Sequence, residues 1–144
     1  MPTLTFEHID PIKLPLVKRF YKQHYPGTKP KSDELMIGGY TEQGIKAIVR
    51  FRQVAKYRLL TGMVVDSRLR GDKIGSQLLS YCQQNVLQDK DYCFAYSHLE
   101  GFYQQAAFET IDSSQLPAEL LGLFQRYSAS GKDLIPMQFI PEIR

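Results

Sequence analysis

The chain has no tryptophan, only two cysteines and no long apolar run in its 144 residues. Each shortage excludes something. Cys82 and Cys93 cannot form a disulfide scaffold of the kind small secreted domains need, and they have no metal-ligand spacing, so no metal site is expected. No stretch approaches the roughly 20 apolar residues of a membrane-spanning helix. The first residues, MPTLTFEHID, lack the basic and apolar regions of a secretory signal, so a cytoplasmic protein is expected. Neither charge sign is in large excess: 18 Lys and Arg against 15 Asp and Glu leave +3, too little to point to nucleic acid. There is no repeat, linker or low-complexity tract. The remainder, 43% hydrophobic and 23% charged, is ordinary for a soluble globular chain, and the length suits a single domain over 1–144.

The hydrophobic pattern predicts the element order. Leu4 and Phe6 alternate with Thr3 and Thr5, a short first strand. A helix opens at Pro11 or Pro15, since proline is tolerated in a first turn, with Leu16, Val17, Phe20, Tyr21 and Tyr25 as its apolar stripe. Pro26-Gly27 ends it, and 26–32 reads as loop. Three strands follow, over 35–40, 45–53 and 57–65. In the second, Ile45, Ala47, Val49 and Phe51 alternate with Lys46, Arg50 and Arg52, which predicts one buried face and one wetter face. Gly62 marks a bulge or a close backbone approach. A helix over 73–87, a strand over 92–97, a short helix over 101–106 and a strand over 107–111 come next. A helix from Pro117 carries Leu120, Leu121, Phe124 and Tyr127 and stops near Gly131; a last strand spans 134–140. The order β-α-β-β-β-α-β-α-β-α-β predicts an α/β fold: a mixed, mostly antiparallel sheet with helices on both faces. Cys82 lies on an apolar helix stripe and Cys93 in a strand, so both read as buried thiols.

The most informative stretch is 59–76, LLTGMVVDSRLRGDKIGS. An apolar run too short for a buried helix passes through a cationic turn into the helical pattern Ile74, Leu78, Leu79, Cys82, Val86. A strand, a small-residue turn and a helix start make an anion site. The first helical amides have no internal partner, and the helix dipole favours negative charge there. A plain strand–turn–helix junction with glycines for geometry fits the same spacing.

These residues resemble the central motif of the GNAT superfamily of acyl-CoA-dependent N-acyltransferases, whose loop reads Q/R-x-x-G-x-G/A at a helix start. Met63-Val64-Val65 correspond to the strand end, and Arg70-Gly71-Asp72-Lys73-Ile74-Gly75 to the loop, with Ser76 following. Lys73 stands where the pattern has its middle glycine, and a helical φ there would suit a lysine. Downstream, Leu99 to Glu109 resemble the family's F/L-Y-x-x-x-G-F segment, with Ala107 in place of the glycine. The resemblance implies a GNAT-like fold, with the sheet splayed at the CoA site. It also implies binding of acetyl-CoA by residues 63–65 and 70–76, and Tyr103 as the acid that protonates the departing thiolate. The strand that in many relatives carries a glutamate base has no acid over 57–65 here, which leaves His98, Glu100 or water.

The reading is therefore an N-acetyltransferase acting on a primary amine, small-molecule or protein; a non-catalytic acyl-CoA-binding or protein-interaction module with the same fold is the alternative, and a homodimer stays open. Lys13, Lys18, Arg19, Lys22, Lys29 and Lys31 crowd 11–32, which holds no acid. That suits an acceptor bearing carboxylate or phosphate, or an acidic protein, unless it is only a solvated face.

Overall fold

The computed structural model describes residues 4–71 and 73–141. Seven strands and four α-helices alternate in the predicted order: β1 Thr5–His8, α1 Leu14–His24, β2 Leu35–Thr41, β3 Gly44–Val54, β4 Tyr57–Val65, α2 Ile74–Asn85, β5 Tyr92–Tyr96, α3 Glu100–Gln104, β6 Phe108–Thr110, α4 Ala118–Ala129 and β7 Leu134–Phe139. The sheet order is β1-β2-β3-β4-β5-β7-β6. β4 and β5 run parallel, with Leu59 opposite Tyr92 and Leu60 opposite Cys93. The pairs β1–β2, β2–β3, β5–β7 and β6–β7 are antiparallel. Among the described residues no helix is long and apolar enough to cross a membrane.

Contacts divide the chain into two compact units. The first runs to Arg52 and resumes over Thr61–Cys82; the second holds Gln53–Leu60 and the described residues from Gln83 onward. In the first, α1 presents Val17, Phe20 and Tyr21, spaced one helical turn apart, to Ile9, Met36, Ile48 and Val64. Burying each such side chain stabilises by about 1.5–3 kcal/mol. Leu16, placed on that stripe from the sequence, is 48% exposed; the stripe is narrower and excludes it.

The larger correction concerns β3. Its Lys46 and Arg50, assigned to a wetter face, are buried at 8% and 3% exposure. A charge can be taken inside only with partners. Arg50 Nη1 donates to Glu34 Oε1 at 3.1 Å and Nη2 to Thr28 Oγ1 at 2.7 Å, while its guanidinium lies over the Tyr21 ring at 4.9 Å.

In the second unit, α4 starts one residue past Pro117, which caps it, and packs Leu120 and Leu123 with Leu59, Tyr92 and Leu116. Leu121, Phe124 and Tyr127 are half-buried against that cluster, and Phe94 meets Phe124 at 5.2 Å and Tyr127 at 6.3 Å. Asp91, buried, ties β4 down: Arg58 Nη2 donates to its Oδ2 at 2.6 Å and also to the Val86 carbonyl at 2.7 Å.

Ala107 joins α3 to β6 with φ +69°, in the left-handed region. A side chain there costs roughly 1–2 kcal/mol. The glycine that the GNAT pattern has at this position thus answers a backbone requirement that alanine meets under strain. Ala107→Gly should stabilise the protein by about 0.5–1 kcal/mol, the relieved strain less the extra chain entropy of glycine. Ala107→Val should destabilise it, because a β-branched residue fits this region worst. Urea midpoints of the three proteins decide the matter: a lower midpoint for the glycine variant would rule out strain here.

Candidate functional site

The site predicted over 59–76 lies at the end of β4. Val64 is buried in the core of the first unit, while Met63 and Val65 are half-buried. β4 is distorted just before them. Gly62 has φ +65°, and a Cβ there would sit 2.8 Å from Arg50 Nε and 3.0 Å from the Tyr21 hydroxyl. The Tyr21 hydroxyl donates to the Gly62 carbonyl at 2.7 Å. Burial raises its pKa. The expected close backbone approach is therefore real, and it is made by two side chains of the first unit.

After Val65 the chain makes a built turn. The Asp66 amide donates to the Lys46 carbonyl at 2.8 Å, and Ser67–Leu69 form one 3-10 turn capped by the Asp66 side chain. Asp66 is 1% exposed. The Arg68 guanidinium grips both of its oxygens, Nε to Oδ1 at 3.1 Å and Nη2 to Oδ2 at 2.9 Å. The Arg68 amide adds a third bond at 2.9 Å. Arg68 holds the carboxyl well below the usual range, with burial opposing and His24 assisting. His24 Nδ1 accepts the Ser67 backbone N–H at 3.0 Å, so the neutral ring carries its proton on Nε2, the nitrogen 3.8 Å from Asp66 Oδ2. Arg70 Nη2 donates to the His24 carbonyl at 2.6 Å and Nε to the Val65 carbonyl at 3.3 Å. The end of α1 is thereby fastened to this turn.

Arg68 and Arg70 of the cationic turn, and Lys73 after them, are alike in charge in the sequence. The structure separates them. Arg68 and Arg70 hold the turn together; Lys73 is exposed and forms no ion pair among the described residues. Lys73 also corrects the expected helical φ: it has φ +61°, and Gly71 has φ +98°. The family pattern's middle glycine falls on a left-handed residue, which explains that preference. α2 then begins at Ile74, buried at 5%. Its first regular bond runs from the Gln77 amide to the Lys73 carbonyl at 3.1 Å. The amides of Ile74, Gly75 and Ser76 accordingly have no acceptor within the helix. No acid stands in its first turn, and among the described residues, chain neighbours aside, nothing lies within 4 Å of where a Gly71 Cβ would be. These residues fit an anionic, phosphate-bearing group. Asp72, predicted as part of the loop, lies outside the described residues.

Tyr103 belongs to the second unit, on α3, and is 5% exposed. Its ring meets Phe102 at 5.0 Å and Phe108 at 5.8 Å. It hydrogen-bonds the Cys93 thiol, which burial pushes up to about 12. Cys82 and Cys93 are both buried, and neither is in a disulfide. Of the candidate bases, His98 is exposed near Tyr96, and Glu100 accepts the Thr110 hydroxyl. Among the described residues no group of His, Cys, Asp and Glu could hold a metal ion.

The sequence reading missed Asp66 and His24, and it misplaced Arg50. Asp66 left one signal, an acid directly after an apolar strand and before Ser-Arg, the place of a turn cap. The pairing of His24 with Ser67 left none, because 42 intervening residues separate them (67 − 24 − 1).

Comparison with known proteins gives the family and the fold. The acetyltransferase (GNAT) domain family matches residues 12–122, so the chain belongs to the GNAT acetyltransferase family. Solved structures with the same fold include Escherichia coli ElaA, 21% identical, TM-score 0.61, covering 96% of this chain and 99% of that one. The ribosomal-protein-S18-alanine N-acetyltransferase of Escherichia coli is 10% identical, TM-score 0.64, covering 99% and 97%. The N-acetylglutamate synthase of Neisseria gonorrhoeae, complexed with coenzyme A and N-acetyl-glutamate, is 9% identical, TM-score 0.65, covering 98% of this chain. This chain spans only 36% of that synthase. No curated protein sequence matches the chain.

The Asp66 arrangement sets a pH dependence. Its folded pKa lies below the unfolded value of about 3.9, so the stability it contributes is complete above that value and fades as pH falls further. Asp66→Asn should destabilise at pH 7 by about 1.5–3 kcal/mol, the worth of hydrogen bonds to a charged group. The gap to the parent should shrink in acid. Urea titrations at pH 7 and pH 3 test this; a gap that does not change with pH would assign the loss to packing.

Proposed function

We propose that this protein transfers an acetyl group from acetyl-CoA to a primary amine, small-molecule or protein. The observation that carries the reading is the left-handed turn into α2. It sets the amides of Ile74, Gly75 and Ser76, which have no acceptor within α2, beside the exposed Lys73, with no acid in the first turn. That is an anion cradle of the kind helix N-termini provide. The relatives support the class of reaction: one is complexed with coenzyme A and N-acetyl-glutamate, another acetylates an alanine of a ribosomal protein.

In this reading residues 70–76, Asp72 included, hold the phosphates. The backbone of Met63, Val64 and Val65 offers strand-edge groups to an extended amide chain. The distortion at Gly62, fixed by Tyr21 and Arg50, sets the direction in which those groups point. Acetyl-CoA, when bound, supplies the activated thioester. Tyr103 gives its hydroxyl proton to the leaving sulfur. The amine loses its proton to water or to His98 or Glu100. The protein acts in the cytoplasm.

A second reading, a non-catalytic acyl-CoA-binding module, draws on one observation: the Tyr103 hydroxyl is buried against Cys93. Thiol release in an amine panel separates the two. Gly75→Glu should abolish acetyl-CoA binding in calorimetry while the protein stays folded, because it sets a carboxylate among the helix amides. Unchanged affinity would move the phosphate site elsewhere. Tyr103→Phe should spare binding and lower kcat by about 10²–10⁴-fold, as loss of a general acid does. A full kcat would return Tyr103 to a packing role.

A further inference from the structure

A cavity of about 260 Å³ lies between α1 and the loop after it, walled by Lys18, Lys22, Pro26, Thr28, Lys29 and Pro30. Lys18 and Lys22 stand one turn apart on α1, and Lys29 approaches from the loop. All three are exposed, and among the described residues none forms an ion pair. Residues 11–32 contain no acid to offset them. Of the acids nearest in sequence, Asp10 caps the turn before α1, Asp33 is exposed at the far end of the loop, and Glu34 is turned inward to Arg50 and the Lys31 amide. Three ammonium groups around one hollow repel each other and raise the local positive field.

A second feature is independent of the lysines. Thr28 Oγ1 accepts from Arg50 Nη2 at 2.7 Å, which leaves its own proton to donate. Behind it is a guanidinium 3% exposed, and a bond from a buried charge polarises the hydroxyl. Pro26 and Pro30 fix φ on either side, so the loop is ordered before any ligand arrives. The walls hold no aromatic ring on which a base could stack. The volume is below that of pockets for drug-sized ligands, roughly 300–1,000 Å³, and suits a single headgroup.

We propose that this cavity is an anion-recognition site for a carboxylate or phosphate, held by Lys18, Lys22 and Lys29 and oriented by the Thr28 hydroxyl. In the acetyl-transfer reading, on which this assignment rests, the coenzyme's phosphates occupy the start of α2. The anion here then belongs to the acceptor. The place suits that role: the end of α1 is bonded through His24 to Ser67 and Arg70 of the turn before α2.

The test begins with the full chain, inorganic phosphate and glutarate, each titrated at constant ionic strength. The amides of Gly27, Thr28 and Lys29 should shift saturably, and the anion with the lower Kd identifies the headgroup. Lys22→Gln combined with Lys29→Gln should raise that Kd roughly tenfold, and Thr28→Val should raise it as well. Absence of saturable shifts at these amides, or an unchanged Kd in the double variant, overturns the site. In thiol-release kinetics, an amino acid and its uncharged amide form a matched acceptor pair. The double variant should raise KM for the charged member alone. Turnover with equal KM for both members, and no amide shifts, overturns the site while acetyl transfer stands. Amide shifts without thiol release from any amine sustain the site and overturn the transfer reading instead.

Discussion

Arg50 is the constraint on which the first unit depends. A guanidinium at 3% exposure needs partners for its charge, and the residues that engage its two Nη atoms and its face come from separate parts of the chain. Glu34 lies just before β2, Thr28 in the loop after α1, and Tyr21 on α1 itself. Its Nε has no hydrogen-bond partner and lies where a side chain at residue 62 would have to go. Residue 62 is therefore glycine, and it can take the left-handed φ that bends β4. Tyr21 then closes the arrangement by donating its hydroxyl to the Gly62 carbonyl. One buried charge thus fixes α1, the loop after it and the direction of the strand end.

The turn after β4 is built on a similar principle with the opposite sign. Asp66 is a buried anion, and Arg68, its own amide and His24 surround it. Arg70 adds two bonds to main-chain carbonyls. The cations of this turn are thus mostly spent on holding it together. What they hold is the start of α2, and in the proposed reading the ligand's charge is left to its amides and to Lys73. This division explains how two left-handed residues, one of them a lysine, can stand next to a helix start: the strain is offset by bonds made before and after it.

Much of the architecture was legible before the structure. Strand and helix periods depend on local spacing, so the order of eleven elements follows from the residues alone, and so do Val17, Phe20 and Tyr21 of α1 and Leu120 of α4 as buried positions, whereas Leu123 of α4 was not read as one. The errors have one cause. Arg50 and Lys46 alternate with apolar residues in β3, and alternation cannot distinguish a wet face from a face covered by a distant helix. Leu16 failed for the reverse reason: nothing reaches across to cover it. At Lys73 and Ala107 the sequence showed a departure from glycine but not its cost, which depends on φ.

The sequence by itself determined the family, through the spacing of 63–65, 70–76 and 99–109, because a strand end and the turn and helix start that follow it are contiguous in the chain. It also determined that 11–32 is uniformly basic. Only the tertiary structure decided which of the chain's cations are engaged by other groups. Arg68 and Arg70 are consumed by Asp66, Val65 and His24, and Arg50 by Glu34 and Thr28, whereas Lys18, Lys22 and Lys29 are left around one cavity. A side chain's charge is written in the sequence, but whether that charge is available to a ligand depends on partners many residues away, and those are brought close only by the fold.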